Sequence, residues 1–94
     1  MTLHQLKIWT TIARCLSITK AAEELRIKQP SVTQQIKRLE KEYGLIFYKI
    51  KGGRGIELTQ AGRLSLKYAK KILSQVDNLE KEIRSSVKRR RRHR

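Results

Sequence analysis

Between positions 29 and 38, Gln29, Ser31, Thr33, Gln34, Lys37 and Arg38 bring amides, hydroxyls and cations onto the polar side of one helical stretch. These side chains bond or neutralise; they do not attack. An amide can donate to and accept from adenine at once, a hydroxyl can do either, and Lys or Arg answers a phosphate. Such a face is suited to reading base edges in a DNA groove. A solvated surface helix is the plain alternative, and the stretch alone does not choose between them. The opposite side carries Val32, Ile36 and Leu39 at helical spacing. Pro30 sits where a first helical turn tolerates a residue without an N–H.

Other chemistries find no such grouping. His4 and His93 lie near opposite ends and Cys15 has no second cysteine, so no zinc-ligand spacing exists. The Gly52-Gly53-Arg54-Gly55 run has the wrong pattern for a phosphate cradle. The carboxylates Glu23, Glu24, Glu40, Glu42, Glu80 and Glu82 lie on helices amid cations, where solvated ion pairs are the ordinary reading. No nucleophile, base and orienter assemble. Neither catalysis, a metal nor a cofactor is expected.

Charge points the same way as the polar face. The chain has 94 residues, with 23 Lys and Arg against 8 Asp and Glu, for a net +15. Lys88, Arg89, Arg90, Arg91, Arg92 and Arg94 crowd the end, yet without them the body still stands at +9. That excess suits a polyanionic partner, nucleic acid first and an anionic membrane surface second. A lone cysteine fits a reducing compartment, with a buried core thiol as the default and a redox sensor as the alternative. No apolar run approaches the ~18 residues of a membrane span, and the N-terminus lacks a secretory pattern. A soluble, intracellular protein is expected.

The elements that must position the polar face can be read in order. From roughly Leu3 to Leu16, Leu6, Trp9, Ile12, Ala13 and Leu16 recur at three and four residues and predict an amphipathic helix with Trp9 as a core anchor. Ser17-Ile18-Thr19 offers caps for a short helix from Lys20 to Leu25, whose small Ala21 and Ala22 permit close helix approach. Arg26-Ile27-Lys28 then turns into the polar-faced helix, which Gly44 ends. Short helix, tight turn and longer helix form a helix-turn-helix, here without the frequent turn glycine. Leu45 to Ile50 and Gly55 to Leu58 read as two strands joined by Lys51 to Arg54. This hairpin is a wing, its cations Lys49, Lys51 and Arg54 placed for phosphates or a minor groove.

Thr59 caps a last long helix from about Gln60 to Val87. Along it Ser65, Ala69, Ile72, Val76, Leu79, Ile83 and Ser86 alternate four- and three-residue steps, a heptad seam. Leu66 and Leu73 lie off the seam and can pack on the body. One small domain cannot easily cover so long a stripe, so a homodimer through Ala69, Ile72, Val76, Leu79 and Ile83 is expected, with burial inside the chain as the alternative. The basic residues of 88–94 repel one another and are expected to stay disordered until an anion binds. The organisation is thus mainly α: a winged helix-turn-helix over 1–59, a linker or dimerisation helix over 60–87, and a basic tail over 88–94.

Several motifs in order, LHQLKIW at 3–9, SITKAAEEL at 17–25, QPSVTQQIKRLE at 29–40 and LTQAG at 58–62, resemble the N-terminal domain of LysR-type transcriptional regulators. The resemblance covers Met1 to about Val87. It implies a winged helix-turn-helix whose linker helix pairs antiparallel with its mate, bound to an inverted-repeat promoter site, usually as a tetramer of full-length chains, in bacterial or archaeal cytoplasm at the nucleoid. By position it implies base and adjoining backbone contacts at Gln29, Pro30, Thr33 and Gln34, and a wing arginine at Arg54. Some positions depart from the family. Lys28 replaces a common capping serine, and Ile50 stands where arginine is usual. The wing loop is one residue longer, which resembles the sulfur-assimilation branch. The chain also stops where the family continues into an effector-binding domain, so no small-molecule effector site is expected in it. It is then either a fragment or a short protein that binds DNA without small-molecule control. The competing expectation is an interaction module: unspecific polyanion binding, or a truncated partner that pairs with a full-length regulator.

Overall fold

The computed structural model describes residues 1–53 and 55–92, the side chains of 88–92 excepted. The order is α1 (Leu3–Cys15), α2 (Ile18–Leu25), α3 (Gln29–Tyr43), β1 (Tyr48–Ile50), β2 (Ile56–Leu58) and α4 (Gln60–Arg92). The mainly helical winged helix-turn-helix with a long last helix is therefore present.

Each junction has a local cause. Thr2 caps α1 through a reciprocal pair: the Gln5 N–H donates to Thr2 Oγ1 at 3.0 Å and the Thr2 N–H donates to Gln5 Oε1 at 3.1 Å. Ser17 caps α2 by accepting from the Lys20 N–H at 3.2 Å, so α2 begins at Ile18, two residues ahead of the predicted start. Leu16 and Arg26 end α1 and α2 in the left-handed region, at φ 52° and 57°. Arg26 thus supplies the sharp turn that a glycine commonly makes. Lys28 precedes α3 without a side-chain cap, and Gly44 closes α3 at φ 66°.

The core sits among α1, α2 and α3, closed by the wing and the start of α4. Ile8, Trp9, Ile12, Val32, Ile36 and Leu39 are its largest fully buried side chains. Trp9 anchors it as expected, its ring 5.3 Å from Phe47 and 6.3 Å from Tyr48 between centroids. Glu40, read as a solvated carboxylate, instead accepts the Phe47 N–H at 2.7 Å and fixes the chain between α3 and the wing. Thr59 Oγ1 accepts from the Gly62 N–H at 3.0 Å to start α4. At Gly62 the helix passes so close that a Cβ would collide with the Phe47 carbonyl.

Three further expectations change. Cys15 is only half-buried at the end of α1, its thiol 3.9 Å from Glu24 Oε1, because the α1–α2 turn leaves that edge open. The backbone of α4 stays helical through Arg92, past Val87 and into the span expected to be disordered. No Gly or Pro follows Gly62 in the helix, Lys and Arg are good helix formers, and cations suit a helix C-terminus. Finally Ala69, counted into the seam, is 1% exposed within the chain's own fold, because the first turns of α4 lie against α1.

Candidate nucleic-acid interface

The outward face of α3 follows from what the helix buries. Val32, Ile36 and Leu39 are each 0% exposed, which fixes the rotation of α3 and turns the polar side outward. On that side Gln29, Pro30, Thr33, Gln34, Lys37 and Arg38 line one continuous open surface, joined by Lys41. Lys41 was not singled out from the sequence, although its spacing from Lys37 and Arg38 places it on the same face. Ser31 is exposed but does not line that surface; its position falls round the helix toward Gln35.

Two side chains are held by neighbouring helices. Thr19 Oγ1 donates to Gln29 Oε1 at 3.2 Å, leaving the Gln29 amide N–H groups to donate elsewhere. Gln35 Oε1 accepts from Gln5 Nε2 at 3.3 Å, tying α3 to α1. At the far end of α3, Glu42 is paired with the N-terminal ammonium at 2.9 Å, and that hydrogen bond holds its carboxyl below the usual range. This acid therefore carries a partner of its own beside the cations of α3.

The wing is a two-stranded antiparallel sheet with Tyr48 opposite Leu58, Lys49 opposite Glu57 and Ile50 opposite Ile56. Lys49 and Lys51 are exposed on it, and the Lys51 N–H donates to the Gly55 carbonyl at 3.1 Å. Arg54 lies outside the described residues. A cleft between the wing and the start of α2, lined by Ile18, Thr19, Lys20, Gln29, Ile50 and Ile56 among others, adjoins the α3 surface through Gln29. Along α4, beyond buried Ala69, Ile72, Leu79 and Ile83 are exposed at 40%, 59% and 54%, and Val76 is half-buried. Leu66 packs on the core, and Leu73 lines a groove with Leu3 and Lys7 of α1.

Residues 3–63 match the family described as bacterial regulatory helix-turn-helix protein, lysR family. The chain belongs to the LysR family. It is 48% identical over 82 residues to the HTH-type transcriptional activator CmpR of Synechocystis sp., covering 87% of this chain and 27% of that protein. With the HTH-type transcriptional regulator CfxR of Cupriavidus necator it shares 40% over 86 residues, or 90% of this chain and 26% of that one. The chain thus spans about a quarter of the length of these curated relatives. Among solved structures, the BenM_DBD/catB site 1 DNA complex superposes with a TM-score of 0.85 at 34% identity, covering 90% of this chain and 94% of that one. The CbnR_DBD–DNA complex does so at 0.84 and 32%, covering 93% and 99%. The likeness of the wing loop to the sulfur-assimilation branch gains no support from these relatives.

Proposed function

We propose that this chain binds double-stranded DNA sequence-specifically as a homodimer, in the role of a LysR-type transcriptional regulator in the bacterial cytoplasm. The observation that carries the reading is the α3 surface: every side chain named for base or backbone contact on it except Ser31 lies on one open face, while the helix's apolar stripe is wholly buried. Relatives of the same fold complexed with DNA add support. Gln29, Thr33 and Gln34 read base edges in the major groove, with Pro30 against the adjoining backbone. Lys37, Arg38, Lys49 and Lys51 hold phosphates, Ser31 bonds the backbone at the helix start, and Arg54 probes the minor groove.

One such helix covers only a few base pairs, so useful specificity needs two copies. The exposed Ile72, Leu79 and Ile83, with Val76, form the pairing stripe, and a two-fold dimer calls for an inverted-repeat site. Selection from a random duplex library tests the reading. Enrichment of a palindrome is the expected outcome. Uniform weak binding that disappears at moderate salt would replace it with unspecific polyanion binding.

A further inference from the structure

Ile50 is 80% exposed, more than any other large apolar side chain among the described residues, and it stands between Lys49 and Lys51. A scattered exposed isoleucine is ordinary, so exposure alone decides nothing. Its mounting is what sets it apart. Across the hairpin lies Ile56, 6% exposed, which roots that face of the wing in the core. The Ile56 N–H donates to the Leu16 carbonyl at 3.1 Å, and Gly55 at φ +77° backs onto the same oxygen. Ile50 is thus carried on a strand pair fastened to the end of α1.

The side chain forms one wall of a cleft of about 760 Å³, which Ile18, Thr19, Lys20 and Gln29 also line. Gln29 belongs equally to the α3 surface, so the cleft and that surface are continuous. Lys20 lies in the cleft with one acid, Glu23, while Lys49, next to Ile50 in the strand, stands on the other face of the wing across from Glu57. An occupant that reaches both Lys20 and Ile50 offers negative charge to the lysine and an apolar patch to the isoleucine at short spacing. The sugar–phosphate backbone of duplex DNA offers both, with phosphates and deoxyribose rings in alternation.

We propose that Ile50 packs against deoxyribose in the DNA strand leaving α3, an apolar contact that seats the wing and adds affinity without adding salt dependence. The inference rests on DNA reading by α3. The test is a set of anisotropy titrations across salt concentrations, using the duplex that library selection returns. Ile50→Thr keeps the β-branch and, at so exposed a position, the thermal midpoint; it should weaken binding about tenfold, and Ile50→Val about threefold. In both, the slope of log affinity against log salt stays as in the unaltered chain. Ile50→Arg should instead steepen that slope by about one. Unchanged affinity for Ile50→Thr, with a preferred duplex still bound by the unaltered chain, overturns this contact alone. If the unaltered chain prefers no duplex, the base-reading role falls and this contact falls with it.

Discussion

Helices α3 and α4 carry the same kind of apolar stripe, and the chain treats them oppositely. Val32, Ile36 and Leu39 of α3 are each 0% exposed, whereas Leu79 and Ile83 of α4 stand at 59% and 54%. Periodicity establishes that a helix has an apolar side; only the path of the chain decides what covers it. For α3 the cover is α1 and α2, so burial fixes its rotation and leaves its polar side facing out. For the outer half of α4 the described residues provide no cover. The first stripe makes a fold, and the second leaves an exposed apolar surface, the one proposed above to pair with a second copy.

That contrast can be broken most strongly at its buried end. Leu39→Ala should cost about 2–5 kcal/mol, read from the denaturant midpoint, since it opens a void in a small core. Leu79→Ala, at the exposed end, should leave the unfolding of dilute monomer almost unchanged while weakening self-association in light scattering across concentrations. A monomer at all concentrations in the unaltered chain would remove the basis for the second half of the comparison. Lys37→Ala tests the outward side of α3: it should weaken all duplexes alike and lower the salt slope by about one. The smallest expected effect is at the turn that orients α3. Arg26→Gly relieves a left-handed residue at φ 57° and should raise stability by about 0.5–1 kcal/mol, read from thermal unfolding.

Much of this was legible in the sequence because it rests on local rules. Ser17, Gly44 and Thr59 cap or end helices as their types dictate, and Pro30 marks the first turn of α3. Val32, Ile36 and Leu39 gave the orientation of α3 from spacing alone. What was missed depends on tertiary approach. A heptad count cannot tell that α1 covers Ala69 and leaves Ile72 open, since both fall on the same stripe. Nor can spacing show that Glu40 reaches the Phe47 N–H, or that Thr19 accompanies Gln29. The continuation of α4 to Arg92 sets the helix propensity of Lys and Arg against the mutual repulsion of their charges, a balance that spacing does not decide. Gly62 belonged to a recognisable motif, but its reason, contact with Phe47 and Trp9, is visible only in the fold.

The central claim is that the outward side of α3 reads bases instead of merely neutralising phosphates, and Gln34 is the place to test it. Its affinity contribution is best measured as Gln34→Ala on two duplexes, the selected site and a scrambled one of equal length, at one salt concentration. The expected result is a loss of about 1–3 kcal/mol on the selected site, little change on the scrambled one, and relaxed preference at one base position. An equal loss on both duplexes would contradict base reading by Gln34 and leave α3 as a cationic support.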